Sequence, residues 1–360
     1  MVPQLIWLSM ICSFIADAQN IKWHLKPGFP SELYVPDTIK VCMTGDIMMH
    51  SRQMEYDFRS YFTKMEEWFK DSDITIANME FTLAGEPYTG YPRFSAPDSF
   101  AQYLADNGVD IFLCANNHIL DKGSEGAART LQQYRSLSET AGIRFTGAAG
   151  SMEELDSTTP LILRCGEISV ALINFTYGTN LGSTEQWPRV NYMGQKEFLC
   201  KALHKADSLA DFTIVLPHWG NEYQLIHSED QERTAEWLAD NGADLIVGTH
   251  PHVIQDISTV NGVPVAYSLG NAVSNMSAPD TQLGLTLVAT LVREINGVVR
   301  LAAIEPIYTW CSRPGGYSDS YIVIPVEEYK GKKSEWNGPW EYEKMISTYE
   351  RVRHIHNNEQ

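Results

Sequence analysis

The sequence is short of basic residues, with 27 Lys and Arg against 45 Asp and Glu and a formal net charge of −18. Non-specific nucleic-acid binding depends on basic patches that neutralise phosphates, so we expect no nucleic-acid partner. The same charge argues against docking onto an anionic membrane surface. An anionic ligand is expected only where local cations, such as bound metal ions, reverse the field.

Cysteine is also scarce. The chain has 6 cysteines at wide spacings, and no two of them form a Cys-x-x-Cys pair. Five would remain after removal of a leader containing Cys12, an odd number that does not suit a disulfide framework. Cys42 and Cys114 fall in predicted strands, where a small buried thiol packs well.

Long apolar runs are missing as well. The most apolar stretch, residues 5–15, is too short to span a bilayer, and no later segment is longer, so we expect no membrane span in the mature chain. Ala16-Asp17-Ala18 resembles a cleavage site, which predicts a signal peptide over residues 1–18 and export to the periplasm or cell surface. Because no Lys or Arg precedes the run, a cytoplasmic location is the alternative. A lipid anchor on Cys12 is a further alternative, although the residues before it make a poor lipobox.

Strand-like and helical patterns alternate along the rest of the chain. Short apolar runs predict strands at 39–43, 74–78, 111–115, 169–174, 212–217, 245–247 and 265–268. Helical periodicity predicts helices at 61–70, 99–106, 127–141, 194–209 and 230–240. This alternation predicts an α/β fold with a mostly parallel or mixed sheet covered by helices. A hairpin of 283–292 and 298–308 around Asn296-Gly297 should follow, and then a peripheral cover ending in a charged helix.

One internal repeat brings polar residues to two strand ends. Residues 104–111 (LADNGVDI) recur as 238–245 (LADNGADL). Each copy is expected to end a helix at Asn-Gly, with the glycine in the left-handed conformation, and then to start a strand. The offset aligns Asn116 with His250 and His118 with His252. Ligands of open α/β sheets bind at such strand ends, so the repeat indicates a site.

Further polar residues follow other predicted strands and suit a divalent metal. Asp46 and Glu80 follow the first two strands, and His218 follows a later one. Carboxylate, amide and imidazole ligands favour manganese, iron or zinc, and one or two ions are expected. Glu80 is a candidate bridge between two ions. The His-x-His pair at His250 and His252 is expected to project both rings to one side of an extended segment.

These motifs resemble the CapA capsule-synthesis family, which is associated with poly-γ-glutamate biosynthesis and has a domain similar to the calcineurin-like metallophosphoesterases. The matching stretches are TGDIM (44–48), ANME (77–80), LCANNH (113–118), DKG (121–123), TYGTN (176–180), PHWGNEY (217–223), GTHPHV (248–253) and YSLGN (267–271). The resemblance implies a calcineurin-like fold, with β-sheets layered between helices in an αββα arrangement. Residues 38–275 would form this domain, and residues 276–360 would supply strands that complete it and a peripheral tail.

The resemblance also implies roles for individual residues. The implied metal ligands are Asp46, Glu80, Asn117, His218, His250 and His252. His118 matches the histidine that contacts the scissile group or donates a proton, and the implied catalytic set is His118, Asn117 and Asp46. The candidate groups for substrate binding or for support of the ligands are Asn116, Asn271, Arg93, Arg189, Trp219 and Tyr223. Tyr177 and Trp187 are further aromatic candidates for the wall of a groove.

One position departs from the family pattern. The phosphoesterase motif is Asp-x-His, but Met48 occupies the histidine position. A thioether is a poor ligand for a hard cation, so one metal position is short of a ligand. His50 is a candidate replacement, and an ordinary polar residue at a helix start is the alternative. The number of metals, one or two, therefore stays open.

Three functions fit these features. The first is a metal-dependent hydrolase that acts on a phosphoester, or on an amide in a capsule-like anionic polymer. The second is a non-catalytic assembly or export factor for such a polymer, working beside other surface-polymer synthesis proteins. The third is a binding module on an enzyme fold that has lost a ligand, which Met48 favours. No Walker motif or Ser-x-x-Lys motif supports nucleotide-driven ligation or penicillin-binding chemistry.

Overall fold

The computed structural model describes residues 37–182 and 186–358, so the predicted signal peptide and Cys12 lie outside the described residues. The strands in chain order are β1 Thr38–Ile47, β2 Ile74–Met79, β3 Ile111–Leu113, β4 Arg144–Thr146, β5 Ala148–Ala149, β6 Leu161–Cys165, β7 Ile168–Thr176, β8 Arg189–Val190, β9 Phe212–His218, β10 Leu245–Val247, β11 Ile257–Val260, β12 Val263–Ala266, β13 Asn271–Val273, β14 Leu283–Arg293, β15 Val299–Ser312 and β16 Ile322–Pro325. The helices are α1 Glu66–Lys70, α2 Asp98–Asp106, α3 Gly123–Ala141, α4 Met152–Thr158, α5 Lys196–Leu209, α6 Glu229–Asp240, α7 Val326–Tyr329 and α8 Pro339–Asn358.

Two mixed sheets form the centre of the fold. The first has the strand order β16-β15-β14-β1-β2-β3-β4, and β13 pairs with the end of β1. The second has the order β11-β12-β10-β9-β7-β6. Strands β1 to β4 run parallel to one another, and so do β7, β9, β10 and β12. Their carboxyl ends can therefore carry polar residues to one edge of each sheet.

The sheets lie face to face between helical layers, which is the αββα arrangement that the family resemblance implies. One apolar cluster joins the inner faces and includes Val41 of β1 and Leu172 of β7. A second cluster lies between the first sheet and helices α2 and α3, and a third lies between the second sheet and helices α5 and α6. Strands buried on both faces are almost wholly apolar, because neither face meets water.

The predicted elements are present with shifted ends. The predicted strand at 245–247 matches β10, whereas β1 and β15 are longer than predicted. The predicted helix at 61–70 is wrong over its first half, because the regular helix is confined to α1 and residues 61–65 form turns. Tyr61 and Phe62 are nevertheless fully buried. The apolar residues of this segment pack into the core from turns and not from a helix.

The two copies of the internal repeat belong to different sheets. The first copy joins α2 to β3 of the first sheet, and the second joins α6 to β10 of the second sheet. Gly108 and Gly242 take φ values of +94° and +103°, as the Asn-Gly cap requires. An aspartate in each copy then accepts a hydrogen bond from the neighbouring strand, Asp110 from the Thr75 N–H and Asp244 from the Thr213 N–H, both at 2.8 Å.

The C-terminal part adds a hairpin and a covering helix. Strands β14 and β15 form the predicted hairpin, and β14 pairs antiparallel with β1 at the centre of the first sheet. The carboxylate of Glu341 in α8 accepts hydrogen bonds from the Ser312 hydroxyl and the Arg313 N–H, which fixes the helix to the end of β15. Among the described residues, no helix combines the length and apolarity needed to cross a membrane.

Candidate metal centre

Six of the predicted metal ligands meet at the edge where the carboxyl ends of both sheets converge. The first sheet supplies Asp46, Glu80 and Asn117 from the ends of β1, β2 and β3. The second sheet supplies His218, His250 and His252 from the ends of β9 and β10. All six side chains are buried. A site assembled across two sheets needs both halves of the chain, which is why no single segment of the sequence contains it.

Glu80 lies at the centre of this site. Both of its carboxylate oxygens are buried and unpaired among the described residues. Its Oε1 is 3.7 Å from Nε2 of His218, 3.8 Å from Nε2 of His252 and 3.9 Å from Nε2 of His118. Burial, then the nearby Asp46 and Glu222 carboxylates, raises the pKa of Glu80 well above its usual value. A buried, unpaired carboxylate is costly unless a cation neutralises it.

Two possible metal-ligand groups share Glu80. One contains Glu80, His250 and His252, and the other contains Asp46, Glu80 and His218, with the ligand atoms of each group within 4.8 Å of one another. Nδ1 of His250 is also buried and unpaired among the described residues. Donor atoms left without partners, in a mixed carboxylate and imidazole set, fit a divalent cation. The sharing of Glu80 is the geometry that a bridging carboxylate requires.

Asp46 is held by contacts from both sheets. Its Oδ1 accepts a hydrogen bond from Nδ2 of Asn78 at 2.7 Å, and its Oδ2 accepts one from the His250 N–H at 3.2 Å. Oδ2 also lies 3.3 Å from Nδ1 of His252. The preceding Gly45 permits this arrangement, since a Cβ there would lie 2.0 Å from the carbonyl oxygen of Gly270. Glycine thus lets the end of β1 approach the chain before β13.

His218 is oriented at both ring nitrogens. Nε2 lies 2.9 Å from Oδ1 of Asn117, and Nδ1 lies 3.0 Å from the hydroxyl of Thr249. Burial and the neighbouring His250 and His252 hold the pKa of His218 well below its usual value, so the ring is neutral near pH 7. A neutral imidazole is the form that binds a metal ion. Nε2 faces Asn117 and Glu80, which makes it the nitrogen available for a cation.

The backbone of His250 and His252 is not extended, which corrects the sequence-based expectation. Their φ values are +103° and +60°, in a region that residues other than glycine rarely adopt. The rings nevertheless lie together, with centroids 5.9 Å apart. Backbone strain of this kind costs on the order of 1–3 kcal/mol per residue and concentrates at functional sites. Nδ1 of His252 lies 3.0 Å from Oδ1 of Asn271, which leaves Nε2 facing Glu80.

His118 belongs to neither metal-ligand group and forms a pair with Asp121. Nδ1 of His118 is 2.7 Å from Oδ2 of Asp121, and the Phe94 ring packs edge-on against the imidazole at 4.7 Å. A proton on Nδ1 that is shared with Asp121 leaves Nε2 unprotonated and facing Glu80. Asp121 lies in the DKG stretch (121–123) that matches the family, but no role for it follows from the sequence. The available signal was its position three residues after His118, across a turn closed by the hydrogen bond from the Asp121 N–H to the His118 carbonyl.

Met48 and His50 occupy different surroundings. Met48 is buried in the apolar cluster beneath α2 and α3, so its thioether packs in the core. His50 belongs to neither metal-ligand group, and its Nδ1 lies 3.0 Å from Oε1 of Gln53. Burial lowers the pKa of His50 to about 4. The ring packs edge-on against Phe94, 5.1 Å away, so it lies beside the site rather than among the ligands.

Three of the predicted substrate-binding residues lie inside the fold. Asn116 donates to the carbonyl of Met79 and accepts from the His118 N–H, and Asn271 spans His252, Ser274 and Thr281. These two amides therefore support the site from within. The expectation that Trp219 lines a groove is wrong, because the side chain is 1% exposed and its indole N–H donates to the carbonyl of Tyr267.

The remaining candidates are exposed, except that Trp187 is half-buried. Tyr223 lies beside His252, with ring centroids 6.2 Å apart, and Tyr177 lies beside His250 at 4.5 Å. Arg93 is exposed and immediately precedes Phe94. Arg189 is also exposed, and its guanidinium stacks on the Trp187 ring at 4.6 Å. We refer to Tyr177, Glu222 and Tyr223 as the mouth of the site.

Comparison with known proteins identifies related sequences. The family model described as "Bacterial capsule synthesis protein PGA_cap" matches residues 40–276. "Capsule biosynthesis protein CapA" of Bacillus anthracis is 28% identical over 253 residues, which cover 66% of this chain and 60% of that protein. "PGA biosynthesis protein CapA" of Bacillus subtilis is 28% identical over 269 residues, which cover 70% of this chain and 67% of that protein.

Solved structures with a similar fold are more distant. NAD nucleotidase (NadN) of Haemophilus influenzae aligns with a TM-score of 0.47 and 11% identity, covering 88% of this chain and 67% of that one. The 5′-nucleotidase of Candida albicans aligns with a TM-score of 0.44 and 13% identity, covering 91% of this chain and 60% of that one.

Proposed function

The chain belongs to the bacterial capsule synthesis protein PGA_cap family, and from this premise we propose that it is a metal-dependent hydrolase that acts in the synthesis of a surface polymer of the poly-γ-glutamate type. The observation that carries the proposal is the buried Glu80 carboxylate, which has no hydrogen-bond partner among the described residues and faces three imidazole nitrogens. The names of the Bacillus relatives supply the polymer class.

The roles of the residues follow from their positions. Asp46, Glu80, Asn117, His218, His250 and His252 would hold one or two divalent ions, of manganese, iron or zinc. Bound ions would supply Lewis-acid polarisation of a phosphoryl or carbonyl oxygen. His118, which Asp121 orients through Nδ1, presents Nε2 toward the centre and can hold or deliver a proton there. Arg93 and Arg189 are candidate contacts for anionic parts of the substrate.

Elemental analysis and a substrate panel test this function. Purified protein should contain a transition metal and should hydrolyse a phosphoester or a γ-glutamyl peptide only when the metal is present. Glu80→Gln and His250→Ala should lose metal and activity together. Glu139→Gln, an exposed change on the outer helix α3, is the matched control. A protein without bound metal and without metal-stimulated hydrolysis would refute the proposal.

A non-catalytic function is the second candidate, and the position of Met48 favours it. Because Met48 packs in the core, the Asp46 side of the centre has no ligand at the usual histidine position. In this version the metal grips carboxylates of an anionic polymer during assembly or export, beside other surface-polymer synthesis proteins. Asp46→Ala and His250→Ala would then abolish polymer binding, while a substrate panel would show no turnover with wild-type protein.

We also propose that the protein is exported, on the strength of the apolar stretch at 5–15 and the Ala16-Asp17-Ala18 sequence. Cell fractionation and mass spectrometry of the mature N-terminus test this. Cleavage after Ala18 and recovery outside the cytoplasm are expected. An uncleaved, cytoplasmic protein would contradict export.

A further inference from the structure

The mouth of the site combines two aromatic rings with one carboxylate. Tyr177 and Tyr223 are 43% and 42% exposed, and each lies against one histidine of the His-x-His pair. Glu222, which lies between His218 and Tyr223 in the sequence, is also exposed. A ligand that approaches the centre past His250 and His252 therefore meets two phenol rings, one of which belongs to the residue that follows Glu222.

Glu222 is exposed and immediately precedes Tyr223 in the chain. Its charge acts on Glu80, on Tyr177 and on Tyr223, and in each case it adds to burial in raising the pKa of that group. No lysine or arginine among the described residues forms an ion pair with it. Its negative charge is therefore available to a ligand.

This chemistry disfavours one class of substrate and suits another. A phosphate dianion would approach a carboxylate of like charge, which opposes binding. A protonated amine would gain the attraction of the carboxylate and could lie over the face of a tyrosine ring. Cation–π contacts of this kind contribute about 0.5–1 kcal/mol at exposed sites and more when water is excluded. Two rings and a carboxylate together make a site for an ammonium group.

We propose that Tyr177, Glu222 and Tyr223 form a subsite for a protonated amine beside the metal centre, so that the substrate is an amide next to a free amino end, as at the amino terminus of a γ-glutamyl chain. This inference rests on the proposed function, because it names the substrate class of the same centre. It also explains how a chain with a net charge of −18 would bind a polyanion. The amino terminus is the one cationic group of such a polymer.

Binding measurements test the subsite without relying on turnover. The probes are γ-glutamyl-glutamate with a free amino group and the same dipeptide with that group acetylated, titrated by calorimetry at pH 7 into the full-length, metal-loaded protein. We expect the free amine to bind about tenfold more tightly, from one exposed ion pair and the ring contacts. Glu222→Gln should reduce this preference to near one. Glu222→Gln should also tighten binding of inorganic phosphate.

Matched variants separate the contributions. Tyr177→Phe keeps the ring and should keep the preference, whereas Tyr177→Leu removes the ring and should weaken it. Glu139→Gln should leave every value unchanged. Circular dichroism checks that each variant is folded, which we expect because the altered side chains are exposed.

The outcomes distinguish this inference from the proposed function. Metal content is measured first, and a protein that binds no metal refutes the metal-dependent hydrolase. The amine preference is then measured in both metal-loaded and metal-free protein, since the mouth itself contains no predicted metal ligand. Equal affinity for the two dipeptides, or no binding of either, overturns the amine subsite whatever the metal content shows.

Discussion

Nε2 of His218 lies 3.7 Å from Oε1 of Glu80, although the two residues come from opposite sheets of the sandwich. Neither side chain is exposed, and neither oxygen of Glu80 has a hydrogen-bond donor among the described residues. In the metal-free protein this arrangement is unfavourable, because a buried acceptor without a donor costs about 1–3 kcal/mol. Substitution of Glu80 therefore tests directly whether the centre binds a cation.

Glu80→Gln should stabilise the metal-free protein and remove its response to metal. The raised pKa of Glu80 means that its contribution to stability is lost as pH rises above the ordinary range for glutamate, so the comparison is sharpest at pH 8. Urea unfolding with a chelator should show a gain of about 1–3 kcal/mol for the variant. With manganese added, the wild-type melting temperature should rise and that of the variant should not. A variant that is less stable without metal would contradict this account.

Asp121→Asn should impair the chemistry while leaving the metal content unchanged. Asp121 contacts Nδ1 of His118 and not the predicted ligands, so its loss alters the tautomer and orientation of one imidazole. Positioned acids and bases contribute about 10²–10⁴-fold to rate, and we expect kcat to fall within this range. The pH–rate profile should shift, which a purely structural role of Asp121 would not produce. Equal losses of metal and activity would assign Asp121 to the metal centre instead.

The sequence was sufficient to predict a sheet covered by helices and to name the six buried polar residues that the structure brings together at one edge. Polar residues at strand ends and the repeat at 104–111 and 238–245 predict both sides of the site, because strand direction determines which edge those residues reach. It did not predict the contact between Glu80 and His218, since packing of one sheet on the other sets that distance. Periodicity carries no information about such packing.

Local backbone conformation was the other limit. The sequence pattern predicts an extended His-x-His segment, yet the φ values of His250 and His252 are both positive. A conformation this unfavourable is imposed by contacts from elsewhere, such as the hydrogen bond from the His250 N–H to Asp46. Trp219 was misplaced for a similar reason. An aromatic residue beside a ligand can point to the core or to the surface, and the sequence does not distinguish the two.

Asn271→Ala should weaken metal binding without removing a ligand. Oδ1 of Asn271 lies 3.0 Å from Nδ1 of His252 and fixes which nitrogen faces Glu80. Loss of such a supporting contact typically costs about 10–100-fold in metal affinity. Competition with a chromogenic chelator measures the effect. Asn337→Ala, an exposed change far along the chain, is the control, and equal affinity in both variants would show that Asn271 does not orient the ring.

His50 should make the metal-free protein less stable in mild acid. Burial lowers its folded-state pKa from 6.5 to about 4, so the unfolded state binds more protons between these values. The stabilising contribution is therefore present above pH 6.5 and is lost as pH falls toward 4. We expect wild-type protein to lose about 3 kcal/mol more than His50→Gln over this range. Urea unfolding of both proteins with a chelator measures the difference, and parallel losses would contradict the burial of His50.

Gly45→Ala should destabilise the protein and disrupt the centre together. A Cβ at this position would lie 2.0 Å from the carbonyl oxygen of Gly270, which is backbone and cannot rotate away. The end of β1 would have to move, and with it the hydrogen bond from the Asp46 N–H to the Gly270 carbonyl. Overpacking costs about 1–3 kcal/mol and more where backbone must shift, so we expect a loss of about 3 kcal/mol in urea unfolding and weaker metal binding. Gly194→Ala, where a Cβ meets open space, is the matched control. Equal stability of the two variants would mean that β1 and the chain before β13 do not approach as closely as the structure shows.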